Sequence, residues 1–456
     1  MKKKNLFQML LCVSIVCSCS SDKLSESLIQ EEIEKSFEVV ENPYAMSEEK
    51  ALDLAQTFIN NGNKAKLRSL STGSVSKTSV ETENFGVTLA GYSEESTVKQ
   101  NVPVYTINYK NDSGENVGYA VIAGDERISD NVMIFNNSKG NEFDLEKRED
   151  ADFIKDLIAG FLFNKINNKD ESKKDVNTIS TKSVRSSSEV LYALDYFIHF
   201  AQSGNPYNRY TPFVNGNRAV AGSSAVAMSE IMAFYGWPLV GAYKRYTTST
   251  SGLQTAYVSY ALTTAERAGI LANNMYYCEL NYPVALEYVG NLISETGYKL
   301  GSSYGASFTS QEFTRVPSVF TEMGYTTNGL SSFNFSAIQT EIEQKQQPVY
   351  MVGYSAGNTT NLLFSHSFVI FGTYYYDGGE YILIAHGNGT IYRDPITGSG
   401  QVFFNKDMFS TNNNYTNFSP TGYEMMYPYI YNCKIITNIK PNTNNTGSTN
   451  PNWIAN

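Results

Sequence analysis

Residues 166–188, INNKDESKKDVNTISTKSVRSSS, constrain most strongly what this chain folds into. They are charged and serine-rich, with almost no large apolar side chain to bury against the entropy of ordering them. They divide the 456-residue chain into two segments, each with its own apolar patterning. Exposed polar stretches are also where chains are cut, so 166–188 is expected to be a linker and a cleavage region.

Upstream, residues 46–165 read as one compact α+β domain. Ser47 is placed to cap a helix whose stripe is Ala51, Leu54, Ala55 and Phe58. Alternating apolar and polar residues around Asn111 to Gly114 predict a hairpin with further strands. A second helix near 149–164 sets Phe153, Ile154, Leu157, Ile158, Phe161 and Leu162 on one face. Downstream, residues 189–437 form a second domain. It holds a helix over 223–235, a helical pattern around ALEYVGNLISETGY, and then strands. Residues 438–456 are of low complexity and read as a frayed tail. There is no internal repeat.

The first 19 residues read as a lipoprotein signal peptide, with a basic start, a short apolar run and then small residues. The run is too short to span a membrane. Val16, Cys17, Ser18 and Cys19 resemble a bacterial lipobox. Cys19 is the expected lipidation site, Cys17 is less suited, and an ordinary secretory signal is the alternative. Residues 20–45 would be a tether, and the lipid would hold the protein to a membrane surface of the cell envelope. Abundant tyrosine and phenylalanine with few charged residues suit an extracellular, β-rich protein. The net charge of −10 argues against a nucleic-acid partner. Beyond the signal only Cys278 and Cys433 remain, enough for one bridge or two buried free thiols. No histidines and cysteines cluster at metal-ligand spacing, and no phosphate-cradling loop occurs, so no metal and no cofactor is expected.

Chemistry points to AVAGSSAVAMSEIMAFYGWP, residues 219–238, where a small-residue turn runs into a helix with Ser223 at the junction. Ser223 is a nucleophile, a replacement for one, or, with Ser224, only a helix cap. GYSAG at 353–357 spells a nucleophile elbow around Ser355, but NTTNLLFSH after it makes a poor helix.

Several motifs, in order, resemble the streptopain-like C10 family of cysteine peptidases, papain-like enzymes made as zymogens. FAQSGNPYN resembles the family's Trp-x-Gln…Pro-Tyr-Asn. AGSSAVAMSEIMAFYGWP resembles its Thr-Gly-Cys-Val-Ala-Thr-Ala-Met-Ala-Gln-Ile-Met…Pro helix. QQPVYMVGYS, SHSFVIFG and AHGNG resemble the strand before its histidine, its Gly-His-Ala-Phe-Val-x-Asp-Gly and its His-Val-Asn-Trp-Gly. VGYAVIAGDERI resembles its pro-domain, so the likeness spans roughly residues 45–430. It implies an α+β chain, a pro-domain at 46–165 followed by a papain-like peptidase domain at 189–437. It also implies a protein or peptide ligand and the chain's own pro-domain as partners.

On these motifs the resemblance puts Ser223 at the nucleophilic cysteine, His366 at the general base and Gln202 at the oxyanion donor. The third position falls on Ala385 or Asn388. Symmetric lengthening of the hairpin about Asp377-Gly378-Gly379 keeps His366 opposite Asn388, which favours Asn388. Otherwise Gly387-Asn388-Gly389 is only a loop. His199, beside Gln202, is expected to be packed or exposed. The departures are Ser for the nucleophile, Phe200, Ala221, Ser365, Phe371, and Gly389 in place of a tryptophan. A helix N-terminus stabilises a thiolate. A serine stays protonated and must lose its proton to a base as it attacks. The expected function is therefore a peptidase homologue, inactive or weak, that binds peptides. The alternatives are an active hydrolase using Ser223, His366 and Asn388 with Gln202, or a non-enzymatic surface-binding protein whose pro-domain is never removed.

Overall fold

The computed structural model describes residues 38–64, 77–89, 98–136, 140, 142–145, 151–167, 190–194, 199–246, 252–271, 275–354, 365–376, 378–387, 402–409 and 433–442. The expected signal, the lipidation site Cys19, Ser355 and Asn388 lie outside them.

The architecture is α+β. The first lobe begins with strand β1 (Glu38–Val40) and helix α1 (Glu48–Lys64), whose start is capped where Ser47 Oγ accepts from Lys50 N at 3.3 Å. Strands β2 (Lys77–Thr88), β3 (Val98–Lys110), β4 (Asn116–Ala123) and β5 (Val132–Asn136) follow, then helix α2 (Ala151–Asn167). β3 and β4 form the expected hairpin, and both are buried along nearly their whole length. α2 runs two residues into the stretch expected to be linker, because Ile166 is still core.

The second lobe adds β6 (Val190–Ala193), α3 (Ser223–Tyr235), α4 (Pro283–Lys299), β7 (Val349–Tyr354), β8 (Ser365–Tyr376), β9 (Gly379–Ala385), β10 (Phe403–Asn405) and β11 (Lys434–Ile436). The β8–β9 hairpin closes with Tyr376 paired to Gly379 and Gly378 at a positive φ of 82°, while Asp377 lies outside the described residues. Phe371 is an extra residue between the pairs Ile370–Ile384 and Gly372–Leu383, a bulge that shifts the register of the hairpin by one. Residues 438–442, assigned above to a tail, are packed. Lys440 and Pro441 pair with Tyr325 and Thr326, and Ile439 is fully buried with its carbonyl accepting from Tyr235 OH.

The two segments do not close separate sheets. One sheet runs β1-β3-β4-β5-β10-β9-β8-β7-β11 and ends on the strand Leu330–Ser332. The seam is β10, which pairs with β5 through Phe403–Phe135 and Phe404–Ile134, and with β9 through Tyr381–Asn405 and Ile382–Phe404. A sheet edge presents unpaired N–H and C=O groups, and here β10 supplies them to β5. Around Phe135 the rings of Phe403, Tyr381 and Phe58 lie at 4.7, 5.0 and 4.9 Å. Tyr376 OH donates to the Phe58 carbonyl. At the rim Lys165 meets Asp407 at 2.5 Å, and Asn405 Nδ2 donates to Asp130 at 2.7 Å.

Phe135 therefore belongs to both lobes at once. Phe135→Ala is expected to lower the denaturant stability of the whole chain by about 3–5 kcal/mol. Lys165→Ala, at a partly exposed ion pair, should cost no more than about 1 kcal/mol. Loss of stability confined to the first lobe would contradict a shared core.

Candidate active site

Helix α3 follows a run of small residues and stops at Gly236, whose left-handed backbone (φ 62°) turns its N–H back onto the Ala233 carbonyl. It packs against β8 on one side and α4 on another, and every residue from Ser224 to Tyr235 is buried. An apolar helix of this kind has no polar face, so its few polar groups must find partners in the surrounding protein.

The expectation that Ser223 or Ser224 caps the helix is overturned. Gly222 is the N-cap, and Ser223 and Ser224 are the first two helical residues, with no side-chain cap. Gln311 does the capping from a distant loop. Its Oε1 accepts from Ser224 N at 2.9 Å and Ala225 N at 3.2 Å, while its Nε2 donates to the Ala221 carbonyl and to Ser302 Oγ. This close approach explains Gly222. Its φ is +88°, and a Cβ there would meet the Gln311 amide at 2.5 Å.

The start of α3 meets the start of β8. Ser223 Oγ accepts from Ser367 N at 3.1 Å. Beneath it, Ser224 Oγ and Ser367 Oγ lie 2.7 Å apart, and Tyr350 OH bonds Ser367 Oγ at 2.6 Å and Ser224 Oγ at 3.3 Å. Burial pushes the Tyr350 phenol up to about 12, against the pull of both serines, so this cluster is uncharged. Ser223, Ser224, Gln311 and Ser365 line a shallow polar depression rimmed by Phe308.

His366 directly precedes Ser367 and is buried. Its ring stacks on His386 with centroids 4.4 Å apart, and its Nε2 lies 2.9 Å from the His386 carbonyl. A carbonyl only accepts, so Nε2 carries the proton and Nδ1 is the acceptor of the neutral ring. Burial drives the imidazole down to about 4, with the His386 bond opposing the shift. Gln202 is half-buried, and its carbonyl accepts from Ala221 N at 2.8 Å, two residues before Ser223. The structure thus brings Gln202, Ser223 and the His366 strand together. Ala385 faces Val369 and not His366. His199 is buried edge-on against Phe371 at 5.1 Å. Cys278 and Cys433 are buried free thiols, both pushed up by burial. Among the described residues no three acidic, histidine or cysteine side chains are grouped to hold a metal ion. Gln311, Tyr350 and Ser367 escaped the sequence analysis. Nothing local to a polar loop marks Gln311 as a cap for a helix that starts nearly ninety residues earlier.

Residues 200–394 match the model of the peptidase C10 family. Streptopain of Streptococcus pyogenes serotype M28 is 26% identical over 375 residues, covering 76% of this chain and 83% of streptopain. The serotype M1 protein is also 26% identical, over 376 residues. Among solved structures, a prointerpain A fragment from Prevotella intermedia aligns with a TM-score of 0.45 and 16% identity, over 79% of this chain and all of that one. Active interpain A of the same organism aligns with a TM-score of 0.36 and 17% identity, over 54% of this chain and 94% of that one.

His366 binds its proton more weakly in the fold than in the open chain. Its stabilising effect is present above the ordinary histidine value of 6.5 and is lost as pH falls from there through about 4. The His366 ring protons should titrate by NMR near 4, and His366→Gln should flatten this part of the acid limb of stability. Gln311→Ala leaves the Ser224 and Ala225 amides without their acceptor and should cost about 1–3 kcal/mol in denaturant unfolding.

Proposed function

We propose that this chain is a secreted, lipid-anchored streptopain homologue that binds peptide in the cleft beside Ser223 and hydrolyses it weakly or not at all. Ser223 stands at the nucleophile position, His366 at the base and Gln202 at the oxyanion side. The observation that carries the reading is the pair of hydrogen bonds at the site's centre. Ser223 Oγ accepts from the Ser367 amide, and His366 is held neutral with Nε2 on the His386 carbonyl. An accepted N–H draws electron density from the serine oxygen, and a buried imidazole resists taking its proton. The anchor at Cys19, the leader 1–19, the tether 20–45 and the cleavage region 166–188 belong to the same proposal. Among the described residues no helix is long and apolar enough to cross a membrane.

A second reading, an active hydrolase using Ser223, His366 and Asn388 with Gln202, draws support from the meeting of Gln202 and the His366 strand at the start of α3. The third, a surface-binding protein that keeps its first lobe, draws support from the sheet common to both lobes.

The test is fluorophosphonate labelling together with casein hydrolysis after cleavage within 166–188. Wild type should resist the label, and Ser223→Cys should gain casein hydrolysis. Label on Ser223 of the wild type would establish the second reading. An inert Ser223→Cys that also binds no casein peptides would favour the third.

A further inference from the structure

α3 carries one ionisable side chain in its interior. Glu230 lies seven residues beyond Ser223, two helical turns along the same face, and is 0% exposed. Its Oε1 accepts from Phe200 N at 2.5 Å, while Oε2 has no hydrogen-bond partner among the described residues. Burial raises its pKa well above the usual carboxylate range, with only the Phe200 amide opposing. The ionisable groups beside it are Tyr207 and, next to that, Cys278, both acids that burial also pushes up. On the elements packed against α3 stand Glu266 and Arg267 (helix Thr264–Leu271), Tyr288 and Glu295 (α4), Glu322 (helix Val316–Glu322), Tyr350 (β7) and His366 (β8). None of them shifts Glu230, so no cation supports an anion there.

The Phe200 amide opens the segment that carries Gln202. Hydrogen bonds tie this segment to α3 and to the turn before it, from Phe200 N to Glu230 and from Ala221 N to the Gln202 carbonyl. Between them Phe200 and Ala201 are buried, and beyond Gln202 the residues 203–205 are exposed. The segment thus runs from the backbone bonded to Glu230 out to solvent, and its lifting is the route by which water would reach the carboxyl.

We propose that Glu230 is the positioning residue that sets Gln202 beside Ser223, and that this clasp opens when Glu230 loses its proton. The inference rests on Gln202 belonging to the site. An uncompensated carboxylate is costly in an apolar interior, and the covering segment is what must move to hydrate it. The sign follows from the raised folded-state value. The stabilising effect is complete below the ordinary carboxyl range and is lost as pH rises through the folded-state value.

The experiment is amide hydrogen exchange of the full chain across pH, reading the 199–205 peptide against the 117–123 peptide of the first lobe. In wild type, protection of 199–205 should fall as pH rises, approaching tenfold per pH unit as expected for one proton. Glu230→Gln keeps an oxygen for the Phe200 amide and cannot ionise, so its protection should stay flat, and its thermal stability should gain on wild type as pH rises. Glu230→Ala should lose about tenfold of protection at every pH. If Glu230→Ala fails to fold, the 117–123 peptide reports it and the Glu230→Gln comparison decides. Equal pH slopes in wild type and Glu230→Gln would overturn the proposal, as would full protection in a folded Glu230→Ala. These readouts need no turnover, so an inert Ser223→Cys leaves them standing. A clasp that fails beside an active Ser223→Cys sinks this inference alone.

Discussion

The rest of the second lobe depends on the burial of α3. A helix closed off along twelve of its thirteen residues cannot send a polar group to water. Most are met by another part of the chain, because an unmet buried donor or acceptor costs about as much as a lost hydrogen bond; among the described residues only Ser229 Oγ and Glu230 Oε2 on this helix lack a partner. The Ser224 and Ala225 amides are met by Gln311, the two serine hydroxyls by Ser367 and Tyr350, and Glu230 by the Phe200 amide. Those partners come from a loop, two strands and the segment before the helix. Satisfying one helix therefore places every element around the depression at Ser223.

This also explains what could be read from the sequence. α1, α2, α3 and the β8–β9 hairpin were legible because periodicity and turn chemistry act within a few residues. The motif order placed Ser223, His366 and Gln202, and the structure sets Gln202 and the His366 strand beside the start of α3. The cap was misread because the local rule assigns it to the first serine, whereas a glutamine far along the chain was the better acceptor. The bulge at Phe371 and the pairing of Lys440 and Pro441 depend on tertiary neighbours that no local pattern reports.

The seam between the lobes was hidden for the same reason. β10 is three residues long, too short to register as a strand, yet it joins what the composition divides. A cut within 166–188 removes no part of this seam. Parting the lobes would expose Phe135 and Phe403 and leave two sheet edges unpaired. The polar stretch thus divides the chain in sequence without dividing its core.

The same burial bears on the chemistry of the site. Gln311 meets the helix amides with a neutral oxygen, so the positive end of the α3 dipole is hydrogen-bonded but not neutralised by a carboxylate. A thiolate at position 223 would sit in that field, but a serine hydroxyl remains protonated near neutral pH and gains little from it. At the partner strand, burial holds His366 neutral to about 4. In the proposed site, charge separation between Ser223 and His366 is opposed at both ends, by a hydroxyl that stays protonated and by an imidazole closed off from water. Replacing Ser223 alone corrects one end. How far a thiol there ionises then depends on how far its own negative charge offsets the burial of His366.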